Sequence, residues 1–184
     1  MSALAATAPL GSDGLVFLPY LLGERSPLWD ADARGAFVGL TLATGRAQLY
    51  RAVMEGVAFA LRHNLEVAAG AGARVAELLA IGGATKSPVW MQIKADVTWV
   101  PLSVSANENA TPLGAAMLAA IGTGGGGVED LVDRWVHRGV SYTPDQAATA
   151  SYDQLFAIYA GLYPAMATGM HQLAGFTRGG KEIR

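Results

Sequence analysis

The fold is decided by the ten residues Ile81-Gly82-Gly83-Ala84-Thr85-Lys86-Ser87-Pro88-Val89-Trp90, which we call the elbow. The preceding residues 75–81 are apolar apart from Glu77, and this run predicts a buried strand. After the glycines, Ser87 can cap a helix whose first residue is Pro88, since proline needs no amide partner there. Adjacent glycines let a ligand approach the main chain, and the free amides at a helix start favour an anionic group. The pattern therefore predicts a strand–turn–helix unit suited to bind such a ligand.

The same pattern also has an interpretation without a ligand. A glycine pair before a helix is an ordinary way to connect a strand to a helix, so the local residues leave both alternatives open. The glycine tract at 122–127 is different, because it follows a predicted helix instead of preceding one. Its amides would not lie at the positive end of a helix dipole. This second tract is interpreted as a C-cap loop.

Composition excludes several function classes. The 184 residues are 52% apolar, and a single domain of this size buries about 70% of its unfolded surface. The formal charge of -2 indicates no basic face for nucleic acid. The chain has no cysteine, which excludes disulfides, thiolate metal sites and cysteine nucleophiles, and suits a reducing cytoplasm. Neither a signal peptide nor a membrane span is predicted, and a cytoplasmic location is expected.

Hydrophobic spacing along the chain predicts alternating helices and strands. Residues 1–13 read as a lead-in segment, and a long charged loop spans 23–35, where Glu24, Arg25 and Arg34 can bridge to one another. The predicted strands cover 16–18, 75–81 and 102–104, and a turn covers 142–145. The predicted helices cover 46–69, 88–97, a Thr111-capped segment from Pro112 to Gly122, 128–136, and a final segment from 152 to 173 that Pro164 bends. Such alternation predicts an α/β layer domain.

Other chemical motifs fail on their spacing. His63, His137 and His171 lie far apart in the chain and lack metal-ligand spacing, so they are interpreted as structural or solvent-facing. Asp30, Asp32 and Gly35 resemble part of a calcium loop, but its fifth and twelfth positions are occupied by Arg34 and Thr41. No serine has the flanking glycines of a nucleophile elbow. No metal site and no catalytic residue are assigned.

Two longer motifs supply a resemblance. The run Gly35-Ala36-Phe37-Val38-Gly39-Leu40, followed by Gln48-Leu49-Tyr50-Arg51-Ala52-Val53-Met54-Glu55, resembles the second signature of the FGGY carbohydrate kinases. The loop residues 17–27 and 29–35 are similar to those of xylulokinase-like and gluconokinase-like members. The elbow then matches the family's adenosine motif, and further matches follow in family order at 94–97, 113–116 and 142–145. The resemblance runs from about Gly14 to Leu173.

The resemblance implies an actin-like, ribonuclease-H-like fold in two domains, with ATP between them. This chain resembles the second, nucleotide-side domain, over residues 14–184 and truncated at its N-terminal side. By analogy, Gly83 and Ala84 would present main-chain atoms beside the α-phosphate and ribose, Ser87 would lie near the adenine, and Gly82 is expected in the same nucleotide-binding set. The family's catalytic aspartate, its phosphate loops and most sugar contacts are expected in sequence preceding Met1. No catalytic residue is therefore expected within this chain.

The function that the resemblance implies is ATP-dependent phosphorylation of a hydroxyl on a xylulose-like ketopentose or a related polyol or sugar acid. The cofactor would be ATP with Mg²⁺, and the chain by itself is expected to be inactive, since phosphoryl transfer depends on positioning by both domains. The alternative is a non-catalytic nucleotide-binding or interaction module derived from a kinase gene. The expected partners are ATP or ADP and a small sugar, without nucleic acid or membrane, and a homodimer stays open.

Overall fold

A computed structural model describes residues 1–107 and 110–179. The short helix α1 spans Ser2–Ala5, and a 3₁₀ segment spans Leu10–Gly14. The strands are β1 (Val16–Leu18), β2 (Ala36–Val38), β3 (Leu78–Ala80), β4 (Leu102–Ser105) and β5 (Arg138–Tyr142). The longer helices are α2 (Arg46–Gly70), α3 (Pro88–Thr98), α4 (Ala110–Gly122), α5 (Val128–Trp135) and α6 (Gln146–Gly179). The predicted α/β class is confirmed.

The strands form two small sheets. β1 and β2 pair antiparallel with Phe17 opposite Phe37, while the second sheet has the order β3-β4-β5. β3 runs parallel to β4, and β5 runs antiparallel to β4. The parallel pair is joined through α3, as a parallel connection requires a crossover. This places the elbow, which follows β3, at the same end of the sheet as the end of β4.

Most predicted elements lie within two residues of their expected bounds, and the differences have local causes. α4 begins at Ala110 and places Pro112 third in the helix, where an amide partner is unnecessary, while the Thr111 side chain that was predicted to cap it lies outside the described side chains. β5 was not predicted because its residues are mostly exposed and lack an apolar run. α6 begins at Gln146, since Asp145 accepts hydrogen bonds from the Ala147 and Ala148 amides at 2.8 and 3.0 Å.

In the charged loop at 23–35, no ion pair among the described residues joins Glu24, Arg25 and Arg34, which the sequence left open, and Arg34 instead lies 3.9 Å from Asp32. The Glu24 carboxylate accepts hydrogen bonds from the Arg25 and Ser26 amides, at 2.8 and 3.1 Å. Arg34 donates to the carbonyls of Ala31 and Ala33. The loop therefore folds on its own backbone, because a nearby amide or carbonyl needs less side-chain ordering than a distant charged partner.

The main core lies where β1 and α2 meet α3 and α6. Phe59 of α2 packs against three aromatic rings of α6, namely Tyr152, Phe156 and Tyr159. The hydroxyls of Tyr20 and Tyr159 form a buried hydrogen bond of 3.0 Å, and burial raises the pKa of both phenols. Tyrosine can occupy this core because its hydroxyl has a partner.

A buried carboxylate ties three segments together. Glu55, on the core-facing side of α2, is 2% exposed. Its carboxylate accepts from the Gly11 amide at 3.0 Å, and from the Ser12 hydroxyl, Arg51 Nε and the Tyr152 hydroxyl at 2.8 Å each. These four donors come from the 3₁₀ segment, α2 itself and α6. The charge is thus both paired and hydrogen-bonded, as burial requires.

We expect Glu55→Ala to lower the free energy of unfolding by about 3–5 kcal/mol, because it leaves Arg51 and three further donors without their acceptor. Urea unfolding followed by circular dichroism measures the loss. The matched control is Glu66→Ala, which removes an ion pair to Arg62 at the same i,i+4 spacing but with a half-exposed carboxylate. That variant should cost less than about 1 kcal/mol. Equal losses in the two variants would contradict the assignment.

A second packing constraint lies at the next residue. A Cβ added at Gly56 would clash with the carbonyl oxygen of Phe17 in β1. We expect Gly56→Ala to destabilise the chain by more than about 1 kcal/mol, despite the better helix propensity of alanine, because the strand must move. Gly114→Ala in α4 has open space around its Cβ and should instead be neutral or stabilising. Thermal unfolding of both variants tests this, and a stabilised Gly56→Ala would refute the close packing.

Candidate functional site

The elbow takes the geometry that its residues predict. Gly82 follows β3 with φ of 85°, a conformation that favours glycine, and residues Gly83–Lys86 form one 3₁₀ turn. The Ser87 hydroxyl then accepts from the Trp90 amide at 3.3 Å, and Pro88 is the first residue of α3. The capped strand–turn–helix unit is confirmed. Within the described part of the chain, the amides of Gly83 and Ala84 donate to no protein acceptor.

Both glycines of the elbow border open space. A Cβ built at Gly82 or Gly83 would meet no atom within 4 Å. Glycine is therefore not required here for packing within this chain, and at Gly83 the backbone conformation does not require it either. At Gly83 the open space leaves room for the close approach of another molecule, or of chain outside the described residues.

The helix behind the elbow is firmly anchored. The Trp90 indole donates to the Met54 carbonyl at 3.1 Å, which joins the first turn of α3 to α2. At the other end, the Asp96 carboxylate accepts from Gln92 Nε2 at 2.7 Å and from the Asp145 amide at 2.9 Å. Asp96 is 7% exposed, and burial raises the pKa of its carboxyl. These bonds fix α3 between α2 and α6, so the elbow has a rigid support.

A cavity of about 430 Å³ lies at the carboxyl ends of the two parallel strands. Elbow residues form one wall, and the end of β4 and part of β5 form the other; the lining comprises Ile81, Gly82, Gly83, Thr85, Lys86, Val104, Ser105, Ala106, Asn107, Gly139 and Val140. Among these lining residues Lys86 carries the one formal charge. The carboxyl ends of parallel strands are the usual place for a ligand in an α/β sheet.

The far wall of this cavity is held by one amide side chain. Asn107 accepts from the His137 amide through Oδ1 and donates to the Trp135 carbonyl through Nδ2, both at 3.1 Å. The Asn107 amide in turn donates to the Ser105 hydroxyl at 3.1 Å. These bonds fasten the end of α5 to the end of β4. The neighbouring residues Glu108 and Asn109 lie outside the described residues.

The structure separates the four residues predicted to bind the nucleotide. Gly82 and Gly83 line the cavity, whereas Ala84 lines a different space of about 230 Å³ with Leu78, Met91 and Lys94. Ser87 is 8% exposed and serves as the cap of α3. Sequence reasoning missed Thr85, Lys86 and the residues of β4 and β5. The end of β4 could have been identified as part of the cavity from the parallel pairing of residues 78–80 with 102–104. That pairing is not visible in the sequence, because it forms only when the chain folds.

The histidines take separate places. His171 Nε2 lies 2.7 Å from Asp30 Oδ2, and that oxygen also accepts from the Tyr163 hydroxyl at 2.7 Å. His171 and Tyr163 together lower the pKa of Asp30 to about 2. His63 packs edge-on to Phe156. Among residues 1–107 and 110–179, no group of three or more His, Cys, Asp or Glu could hold a metal ion.

Among the described residues, none of the helices combines the length and the apolar character needed to cross a bilayer.

Comparison with known proteins supplies the family. Residues 1–123 match the model of the C-terminal domain of the FGGY family of carbohydrate kinases. The chain is 35% identical over 156 residues to the xylulose kinase of Bacillus subtilis (strain 168), covering 84% of this chain and 31% of that protein. It is 32% identical to the gluconokinase of the same organism, covering 97% of this chain and 35% of that protein.

A solved structure agrees with these sequence matches. The chain superposes on the crystal structure of xylulose kinase from Rhodospirillum rubrum with a TM-score of 0.80 and 42% identity, covering 92% of this chain and 34% of that chain. This chain thus spans about a third of the length of its relatives. With the matched family model, the expected actin-like fold is confirmed: the chain belongs to the FGGY family of carbohydrate kinases and corresponds to their C-terminal domain.

Proposed function

We propose that this chain is the nucleotide-side domain of an ATP-dependent sugar kinase acting on a xylulose-like ketopentose or a related polyol or sugar acid. The observation that carries the proposal is the Gly82–Gly83 turn, whose bare main chain borders the 430 Å³ cavity just before a capped helix. The amides of Gly83 and Ala84 are available to an acceptor, and a phosphate or ribose oxygen is a suitable one. The curated relatives named xylulose kinase and gluconokinase support the sugar classes.

The four predicted residues keep distinct roles in this proposal. Gly82 and Gly83 leave room for the nucleotide, and the Gly83 and Ala84 amides bind it beside the α-phosphate and ribose. Ser87 orients the start of α3 as a cap and lies near the adenine. Lys86, without an ion-pair partner in the described residues, adds a positive charge to a cavity that receives an anion.

Metal binding fits this chain less well than nucleotide binding. The described residues offer no acidic cluster for Mg²⁺. A metal ion accompanying ATP would therefore be held by the phosphates and by residues outside this chain, and no step of the reaction is assigned to it here. The residues that bind the acceptor sugar and the base that takes the proton from its hydroxyl likewise lie in the rest of the kinase. The proposal also includes a cytoplasmic location and a kinase domain at 14–184, against which the lead-in at 1–13 packs through Gly11 and Ser12.

We expect ADP to bind the wild-type chain weakly and Gly83→Trp to abolish that binding, since the indole would fill the space beside the free amides. Isothermal titration calorimetry measures the affinity, with a loss of at least about tenfold expected for a blocked site. Gly70→Trp at the end of α2 is the matched control, because its Cβ also meets open space but lies outside the elbow. Absence of ADP binding in wild type would favour the non-catalytic module, and unaltered binding in Gly83→Trp would refute the elbow site.

We also expect the chain by itself to transfer no phosphoryl group from ATP to a sugar. Positioning and charge stabilisation supply most of the rate in this reaction, and one wall of the cleft cannot supply both. A coupled assay of ADP release with xylulose, ribulose, gluconate and glycerol measures turnover. The positive control is a full-length xylulose kinase under the same conditions. Sugar-dependent turnover by this chain would refute its proposed dependence on further sequence.

A further inference from the structure

Trp99 follows the last residue of α3 in a backbone conformation that suits glycine better than a bulky residue. Its φ is 58° and its ψ is 22°, which lies in the left-handed region. A residue with a Cβ pays a free-energy cost there that glycine avoids. Trp99 is 55% exposed, and among the described residues its Nε1 donates to no acceptor and no aromatic or cationic side chain contacts its ring. A strained and exposed indole of this kind indicates a role toward another molecule.

A cavity of about 430 Å³, which we call the Trp99 cavity, lies between the end of α3 and the start of α6. Its lining comprises Arg62 of α2, Trp99, and Gln146, Thr149, Ala150 and Asp153 of α6. Small-molecule sites have volumes of about 300–1,000 Å³, so this cavity is large enough to hold one. The eleven residues of α3 separate Trp99 from the Ser87 cap by roughly 16 Å, and the Trp99 cavity is therefore distinct from the cavity at the elbow.

Arg62 is held in a fixed position in the wall of this cavity. Its Nε donates to the Glu66 carboxylate at 2.9 Å and its Nη1 to Asp153 Oδ1 at 2.6 Å. The guanidinium also lies 4.3 Å from the centroid of the Phe156 ring. These contacts leave the side chain 18% exposed. A ligand that binds to Arg62 therefore meets a side chain that is already ordered, which lowers the entropy cost of binding.

Three polar groups around the Trp99 cavity keep hydrogen-bonding capacity. Within the described part of the chain, Arg62 Nη2 donates to no acceptor, Asp153 Oδ2 accepts from no donor and the Gln146 side-chain amide has no partner. A guanidinium only donates and a carboxylate only accepts, whereas an amide does both. A hydroxyl group can accept from the first and donate to the second at the same time. The set therefore matches a ligand that carries several neighbouring hydroxyl groups.

The charges at this site favour a neutral ligand. Arg62 and Asp153 line the cavity and pair with each other, and Glu66, which lines an adjoining space of about 230 Å³ with Trp99, is also bonded to Arg62. A cation that entered would meet the guanidinium, and an anion would meet two carboxylates. The indole face is the negative side of the ring quadrupole and attracts weakly positive C–H groups. A sugar ring has C–H groups on its face and hydroxyl groups on its edge.

We propose that the Trp99 cavity binds a neutral sugar at a site separate from that of phosphoryl transfer. One face of the sugar ring stacks on the Trp99 indole, and hydroxyl groups on its edge bond to Arg62 Nη2, Asp153 Oδ2 and the Gln146 amide. The site is built on α2, α3 and α6 and uses no glycine of the elbow. Sugar binding here is consequently independent of nucleotide binding, and it does not rest on the proposed kinase function.

Titration with D-xylose, an uncharged pentose, tests this by NMR. We expect xylose to shift the indole N–H signal of Trp99 saturably in the millimolar range, that signal being identified among the four tryptophans by its loss in Trp99→Gly. Saturation-transfer NMR measures xylose binding in the variants. Trp99→Gly should abolish it without lowering the thermal unfolding midpoint, because glycine suits the left-handed conformation. Asp153→Ala should weaken it at least about tenfold, because hydrogen bonds to charged groups are the stronger ones.

The matched control is Trp29→Gly, which removes an exposed tryptophan outside the cavity and should leave xylose binding unchanged. Arginine and sulfate serve as a cation and an anion for comparison. The proposal would be overturned by a Trp99 signal that xylose does not shift, by xylose binding that persists in Trp99→Gly, or by tighter binding of arginine or sulfate than of xylose. Gly83→Trp should leave xylose binding intact, so a failed ADP titration would bear on the elbow alone.

Discussion

The carboxylate of Glu55 is the interaction on which the rest of the structure depends. It sits in the core-facing side of α2 and gathers donors from Gly11, Ser12, Arg51 and Tyr152, which lie far apart in the sequence. A buried charge is tolerated only when all its hydrogen-bond partners are in place. The segments that supply these donors therefore stabilise one another, and the loss of one weakens the packing of the rest. The same contacts hold α2 in place, and α2 anchors the elbow because its Met54 carbonyl accepts from the Trp90 indole.

The elbow shows how rigidity and openness are combined. Its base is fixed, because Trp90 is bonded to α2 and Asp96 to the start of α6. Its tip is bare, because Gly82 and Gly83 carry no side chain and nothing in the described chain fills the space beside them. A binding site gains from such an arrangement, since a fixed main chain loses little freedom when a ligand arrives.

Sequence reasoning located the elbow and most helices because their signals are local. Pro88 after Ser87 marks a helix start without knowledge of any other segment, and the spacing of α2 gives its buried side. It missed β5, whose residues are ordered by pairing with β4 instead of by their own pattern. Its assignment of Gly82, Gly83, Ala84 and Ser87 to one ligand stays a prediction: the first two line the cavity, Ala84 lines the adjoining space and Ser87 caps α3.

By itself, the sequence determined the α/β class, the polarity of the elbow and, through the order of its motifs, the FGGY family. These properties depend on residue type and spacing along the chain. Tertiary structure alone decided that Glu55 would be the buried centre of four hydrogen bonds and that the end of β4 with Asn107 would wall the cavity. Each of these brings together residues separated by tens of positions, and their proximity follows from packing that no local pattern encodes.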